Sequence, residues 1–216
     1  MQQAARTRDG IRAALPLAAA PFLFGAAFGV LALDAGLNWL QAVLMSATTF
    51  AGSAQFAAAT ILDDGGGAAA AIVAALLLNA RYVPLSIAVA PIFPGSRKRR
   101  FLESQLIVDE SWALAGRSGR FEYGILIGVG LFLYVLWVGG TALGTVVGDL
   151  LDPEAIGLDA AFPALFLALL APYLRSPRAV MTAVTAAVIT LVLLPVAPPG
   201  VPIVAASLAA LIGLRR

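Results

Sequence analysis

Asn79 and Arg81 are polar residues inside an otherwise apolar run that covers 67–93. The run is long enough to cross a bilayer, which takes about 20 apolar residues. Inserting a guanidinium at the centre of a lone helix in lipid costs at least about 2.5 kcal/mol. Pro84 removes a backbone hydrogen-bond donor and disfavours helix at the preceding residue, Val83. Broken backbone at membrane depth is tolerated where it is buried in protein or lines a watery cavity. The sequence therefore predicts a polar site here, inside a membrane bundle.

Two interpretations of Arg81 remain open at this point. In the first, the guanidinium binds an anionic ligand group, because it offers several donors in a fixed plane. In the second, Arg81 only ties two helices together through backbone carbonyls, some of them freed by Pro84.

Polar residues also interrupt the apolar run that covers 39–62. Thr49, Ser53, Phe56 and Thr60 share one face by helical spacing. Gly52 and Ser53 are where such a helix could break, and Gln55 adds an amide. A broken helix exposes backbone N–H groups that bind anions, so Gly52, Ser53 and Gln55 join the candidate site.

The stretch 101–116 is apolar but interrupted by Glu103, Asp109 and Glu110. Gln105, Asp109 and Trp112 fall on one helical face. Asp109 or Glu110 could meet an ammonium group or carry a proton, since burial raises the pKa of a carboxyl group. The alternative is a cytoplasmic amphipathic helix with a solvated acidic side.

The composition predicts an integral membrane protein with a single domain, 1–216. Of 216 residues, 61% are hydrophobic and 12% are charged, with a mean hydropathy of +0.93. A soluble chain would carry about twice that charged fraction. Because the chain has no cysteine and no histidine, disulfides, Ser-His and Cys-His catalysis and zinc-peptidase motifs are excluded.

The remaining catalytic arrangements are also not formed. Ser53 has no base nearby in sequence, and Lys98, the sole lysine, lies in a basic cluster. Asp149 and Asp159 lie at the ends of apolar segments instead of facing each other within the membrane. We therefore expect no enzyme, no cofactor, no metal and no nucleic-acid partner.

The apolar periodicity predicts an all-α, polytopic bundle of about six to seven segments with broken or re-entrant helices. The N-terminal basic residues and first apolar run are interpreted as a transmembrane helix, not a cleaved leader. G-x-x-x-G patterns lie in the first and fourth segments, at Gly25 and Gly29, Gly124 and Gly128, and Gly140, Gly144 and Gly148, and predict close helix packing, inside the chain or with a partner. The predicted segments are 11–33, 39–62, 67–93, 121–148, 160–174, 179–195 and 201–214.

The placement of positive charge favours one topology. Except for Arg81, every Lys and Arg lies outside the apolar cores, at 6, 8, 12, 97–100, 117, 120, 175, 178, 215 and 216. If segment 39–62 re-enters at Gly52-Ser53 and leaves on the same side, all of these are cytoplasmic, as is the N-terminus. The outer loops 34–38, 63–67, 149–159 and 196–200 then carry acids but no base. In the alternative, 101–116 also crosses and the cluster 97–100 lies outside.

Three motifs, in order and spacing, resemble a known family. They are Phe50-Ala51-Gly52-Ser53-Ala54-Gln55-Phe56, Asn79-Ala80-Arg81-Tyr82 and Asp109-Glu110-Ser111-Trp112-Ala113-Leu114. Together they resemble the AzlC family, the large subunits of branched-chain amino-acid exporters, linked to azaleucine resistance. The resemblance covers roughly 10–214. It differs at Tyr82, where members often carry a histidine, and at Val108, where they often carry a threonine.

The resemblance implies secondary active export of branched-chain amino acids across the cytoplasmic (inner) membrane, together with a small membrane subunit of the AzlD type. In such a site Arg81 would hold the carboxylate with the Gly52-Ser53 break, Gln55 and Asn79 would orient the substrate, and Asp109 or Glu110 would take the ammonium or a proton. The sequence has no ATP-binding motif, so coupling to an ion gradient is expected. The alternative is a non-transporting assembly or sensor subunit.

Overall fold

The computed structural model describes residues 2–63, 65–117, 120–147, 167, 170–171, 174–197 and 201–209. The predicted segment 160–174 and the loop 149–159 lie wholly or mostly outside these residues, as does Gly148. The described helices are α1 (Gln2–Ala14), α2 (Ala19–Asp34), α3 (Trp39–Thr49), α4 (Gly52–Asp63), α5 (Ala68–Asn79), α6 (Tyr82–Val89), α7 (Arg97–Ser104), α8 (Asp109–Ala115), α9 (Tyr123–Val147), α10 (Pro177–Leu193) and α11 (Val201–Ser207).

The prediction of an all-α bundle with broken helices is confirmed. Between α8 and α9 the chain adds a two-residue antiparallel hairpin, β1 (Gly116–Arg117) and β2 (Arg120–Phe121). Of the described helices, α9 alone is long and apolar enough to cross a membrane. Two bent pairs of helices would each also suffice if counted as one crossing.

The first segment is bent, and its helix begins upstream of the predicted bounds. A 3-10 turn, Leu15–Leu17, separates α1 from α2, and the two parts meet at 68°. Pro16 lies in this turn, where a residue without an N–H interrupts the α-helical ladder. Helix also begins at Gln2, upstream of the predicted start, so the basic residues of this end are helical.

Glycines bring α1 and α2 against α9. A Cβ at Gly140 or Gly144 would overlap the carbonyl oxygen of Phe22 or Ala26 in α2, and a Cβ at Gly25 would overlap that of Trp137. Gly128 faces Thr7 and Gly10 of α1 in the same way. The described glycines of the G-x-x-x-G patterns therefore pack inside the chain. The sequence left open whether they pack inside the chain or against a partner, and the structure shows the first.

The predicted single helix over 101–116 is wrong. Helix α7 ends at Ser104 and α8 begins at Asp109, so Gln105, Asp109 and Trp112 do not share a helical face. The Ser111 hydroxyl explains the break, because it accepts from the Val108 N–H at 2.9 Å and can donate to the Leu106 carbonyl at 2.8 Å. A side chain that bonds to nearby backbone offers an alternative to helix.

Contacts at the start of α9 fix α7. The Arg99 guanidinium donates to Glu103 Oε1 at 2.7 Å and to the Tyr123 hydroxyl at 3.0 Å, and that hydroxyl donates to Glu103 at 2.6 Å. Hydrogen bonds to Glu103, then to Tyr123, raise the pKa of Arg99. The cluster thus anchors the chain that leads into α8.

Candidate functional site

Three helices begin at one small cavity. Its lining includes the first residues of α4, the junction of α5 and α6, and the first turn of α8. Its volume is about 40 Å³, which holds a few water molecules. Because the N-terminal end of a helix carries partial positive charge and unpaired N–H groups, this convergence favours an anionic group.

The first of these junctions is the break between α3 and α4. Phe50 adopts a left-handed conformation (φ 40°) and its N–H donates to the Ser46 carbonyl at 3.1 Å, which ends α3. Helix α4 then begins at Gly52, as the sequence predicted. The N–H groups of its first turn have no acceptor within the helix, and Gly52 and Ser53 line the cavity.

The second junction lies between α5 and α6, which are bent by 40°. The break falls at Ala80-Arg81, and Val83 is helical, contrary to the prediction that helix is disfavoured there. Pro84 is the third residue of α6, a position whose missing N–H would lack an intrahelical acceptor anyway. The Val83 N–H donates to the Ala80 carbonyl at 3.1 Å. Pro84 thus starts the second helix instead of breaking it internally.

Arg81 reaches from this junction to side chains on two other helices. Its Nη2 lies 3.0 Å from Asp109 Oδ2 and donates to Ser53 Oγ at 3.0 Å. Nη2 also donates to the Tyr82 hydroxyl at 3.4 Å, and that hydroxyl donates to Asp109 at 3.5 Å. The guanidinium lies over the Tyr82 ring, 5.2 Å from its centroid. These contacts join α4, α6 and α8 through side chains.

Asp109 and Glu110 both line the cavity from the first turn of α8. Burial raises the pKa of Asp109, although the nearby Arg81 charge opposes this. Burial, followed by the neighbouring charge of Asp109, raises the pKa of Glu110 to about 7. Among the described residues, no three acidic side chains lie together in a group that could hold a metal ion.

The remaining wall of the cavity is apolar. It consists of side chains from α2, the α3–α4 break, the residue before α8, and α9, namely Pro21, Phe24, Phe50, Val108, Leu133 and Trp137. Phe24, Phe50, Leu133 and Trp137 are almost fully buried. Charged and apolar side chains therefore line one and the same space.

Gln55 lies behind this wall and does not line the cavity. Its Oε1 accepts from Trp137 Nε1 at 3.1 Å and from the Ala51 N–H at 3.2 Å. Its Nε2 donates to Ser46 Oγ at 2.9 Å, which in turn lies 2.7 Å from Thr141 Oγ1. The amide of this fully buried side chain thus bonds α3, α4 and α9 to each other.

Asn79 ends α5 and is likewise not part of the lining. Its Oδ1 is buried and accepts no hydrogen bond from a described residue. Of the seven predicted site residues, the structure brings five together at the cavity: Gly52, Ser53, Arg81, Asp109 and Glu110.

Sequence reasoning did not place Tyr82 or Trp137 in the site. Tyr82 was noted only as a departure from a motif, yet it contacts both members of the ion pair. Trp137 lies in the middle of the predicted segment 121–148, where its buried indole N–H needs an acceptor. That requirement is the feature of the sequence that could have indicated a polar partner for Trp137.

Comparisons with known proteins show the family to which the chain belongs. The sequence profile of the AzlC protein family matches residues 16–151. A membrane protein of Archaeoglobus fulgidus is 33% identical over 219 aligned positions, which cover 97% of this chain and 94% of that relative. The branched-chain amino acid transport protein AzlC of Bacillus subtilis is 26% identical over 157 positions, covering 71% of this chain and 62% of that protein.

A membrane protein of Helicobacter pylori is 25% identical over 151 positions, covering 68% of this chain and 66% of that protein. No solved structure matches the chain. The matched region 16–151 contains the cavity and both helix breaks. Because the family profile matches more than half of the chain, and because the Archaeoglobus fulgidus relative is 33% identical over nearly its whole length, the chain belongs to the AzlC family of membrane proteins.

Proposed function

We propose that this protein is a secondary transporter that exports branched-chain amino acids across the cytoplasmic membrane, together with a small AzlD-type subunit and with its N-terminus in the cytoplasm. The name of the Bacillus subtilis relative supports the substrate class. Export and the small subunit rest on the resemblance of the three motifs. The single observation that carries the proposal is the cavity where broken helices meet, with an Arg–Asp pair facing an apolar wall.

This site matches the parts of a zwitterionic apolar amino acid. Arg81 and the N–H groups of Gly52 and Ser53 hold the carboxylate, since these three residues line the cavity and supply hydrogen-bond donors. Asp109 and Glu110 hold the ammonium group. The branched side chain packs against the apolar wall, where burial of hydrocarbon is favourable.

Entry of the substrate requires the cavity to widen, because about 40 Å³ holds only a few water molecules. The broken helices are the parts that can move, since each half is short. Helix α4 has 12 residues, or about 18 Å, against about 30 Å for the hydrocarbon core. Rocking of discontinuous helices around a central site is the usual route to alternating access.

The proposal is tested by leucine efflux from cells that express the chain with and without the small subunit. We expect efflux with both subunits, and a leucine-dependent rise in the melting temperature of the purified protein. Absence of both effects contradicts transport and would favour the assembly or sensor role.

Arg81 variants test the assignment of the carboxylate site. Arg81→Lys keeps the charge but loses the planar fork, so we expect folded protein with weak efflux. Arg81→Ala leaves Asp109 unpaired, and we expect lower stability and almost no efflux per folded molecule. If Arg81→Ala keeps wild-type efflux per folded molecule and is still stabilised by leucine, Arg81 does not bind the carboxylate.

A further inference from the structure

The Arg81–Asp109 pair already fills the place where a zwitterion would bind. The two side chains are 22% exposed each, and Nη2 and Oδ2 are 3.0 Å apart. The same Nη2 donates to Ser53 Oγ at 3.0 Å, and Ser53 also lines the cavity. With no substrate bound, each charged group is thus the other's partner.

A ligand that binds Arg81 through a carboxylate displaces Asp109 from it. Two groups bear on this exchange. The side chain of Tyr82 contacts both members of the pair, and Glu110 is a second acidic group beside the freed carboxylate. The α2, α4 and α9 walls bring uncharged residues to the cavity: Pro21, Phe24, Gly52, Ser53, Leu133 and Trp137. No further cation lines the cavity in the described structure, so Asp109 needs a new positive partner from the ligand.

An amino acid supplies that partner and a carboxylic acid does not. With a zwitterion, one intramolecular pair is exchanged for two pairs, carboxylate with Arg81 and ammonium with Asp109. With a monocarboxylate of the same shape, Asp109 remains in a half-buried site with no cation, and an unpaired buried charge is costly. Rejection through an unpaired protein group is a strong form of specificity.

We propose that Asp109 sets the charge class of the substrate, so that the site accepts zwitterionic amino acids and rejects carboxylic acids with the same side chain. This inference rests on the proposed function, because it assumes that Arg81 binds the substrate carboxylate. It adds a discriminating role for the ion pair beyond holding the ammonium group.

The first experiment uses the wild-type protein purified with its small subunit. Dissociation constants are measured by calorimetry for leucine, for 4-methylpentanoate, which lacks the amino group, and for 3-methylbutylamine, which lacks the carboxylate. We expect 4-methylpentanoate to bind at least about 100-fold more weakly than leucine, since a protein group is left unpaired. The amine should bind weakly as well, because it has no carboxylate that could replace Asp109 at Arg81, and the ion pair therefore stays closed.

The second experiment uses Asp109→Asn with Glu110→Gln as its matched control. Asp109→Asn removes the carboxylate that lies 3.0 Å from Arg81, so affinity for 4-methylpentanoate should rise at least about 10-fold while affinity for leucine falls. Glu110 is the adjacent carboxyl in the same cavity, whereas Asp109 is the carboxyl whose Oδ2 lies 3.0 Å from Arg81 Nη2. Glu110→Gln should therefore not bring this gain.

The outcomes separate the inference from the function. If wild-type protein binds leucine and 4-methylpentanoate equally, or if Asp109→Asn gains no affinity for the acid, the inference is wrong while transport stands. If the wild type binds no leucine, both are wrong. Should Asp109→Asn not fold, the comparison of the three ligands on the wild type still decides.

Discussion

The indole of Trp137 joins the cavity wall to the interior of the bundle. Its Nε1 donates to Gln55, and Gln55 bonds in turn to Ser46 and to the backbone of Ala51. Each of these groups is almost fully buried, so a lost bond leaves a donor or acceptor that water cannot reach. Gln55 therefore positions Trp137 and the α3–α4 break without touching the cavity.

Replacing Gln55 by leucine should affect folding before binding. Gln55→Leu leaves the Trp137 and Ala51 N–H groups without their acceptor, at about 1–3 kcal/mol for each such group. We expect a lower melting temperature, with leucine affinity per folded molecule retained within about threefold, a change below about 1 kcal/mol. The measurement is thermal unfolding with and without leucine. An unchanged melting temperature together with lost leucine binding would instead show that Gln55 contacts the substrate.

The polar half of the site could be predicted from the sequence, and the apolar half could not. Arg81, Ser53 and Asp109 stand out because polar groups are rare and costly in apolar segments. Phe24 and Leu133 do not, because an apolar residue in an apolar span has the same appearance whether it faces lipid, core or ligand. The role of Gln55 was also beyond prediction, since its partners are 9 and 82 residues away.

At the scale of elements, the crossing of α2 and α9 holds the two helices at backbone contact. Gly25 and Gly29 of α2 lie against the α9 backbone, and Gly140 and Gly144 of α9 lie against the α2 backbone, with carbonyl oxygens where Cβ atoms would stand. Close approach of this kind gains dispersion energy and weak backbone contacts where lipid offers no hydrophobic drive between helices. The crossing is therefore the fixed frame against which the broken helices are arranged.

Adding a single methyl group at Gly144 tests the close packing of α2 against α9. Gly144→Ala places Cβ onto the Ala26 carbonyl oxygen and 2.8 Å from its carbon, so we expect a loss of about 1–3 kcal/mol from overpacking. Gly139→Ala on the same helix is the control, because nothing lies within 4 Å of its added Cβ. The control should keep or raise stability by up to about 1 kcal/mol through helix propensity. Equal melting temperatures for the two variants would contradict close packing at Gly144.

The sequence located the helix breaks to within a few residues. Gly52-Ser53 and the 79–84 stretch mark the breaks because glycine, proline and buried polar groups weaken the helical ladder. The break at 105–108 was missed, because it depends on the Ser111 hydroxyl bonding back to Leu106 and Val108. Spacing alone does not show which acceptor a serine chooses.

At the scale of the whole molecule, the breaks between α3 and α4 and between α5 and α6 raise the question of which helix ends lie on the same side of the membrane. The re-entrant topology puts residues 63–67 outside and 97–100 in the cytoplasm, and it remains a prediction. Asp63 and Lys98 are both exposed, so either can carry a probe without disturbing a packed site.

Cysteine labelling measures this topology directly, since the chain has no native cysteine. We expect Asp63→Cys to react with an impermeant thiol reagent added to intact cells, and Lys98→Cys to react only after the membrane is opened. The unsubstituted protein is the control for background. Labelling of Lys98→Cys from outside would mean that 39–62 crosses fully or that 101–116 crosses as well.

Helix α9 carries both the crossing with α2 and part of the cavity wall, and this has an evolutionary consequence. The backbone at Trp137 lies against Gly25, while the Trp137 side chain lines the cavity. The crossing fixes where the α9 backbone lies, so a change of size at Leu133 reshapes the cavity without moving the helix. Under the proposed function, substrate preference in a lineage of such proteins can therefore diverge through single replacements in the cavity wall, whereas the crossing glycines tolerate almost none.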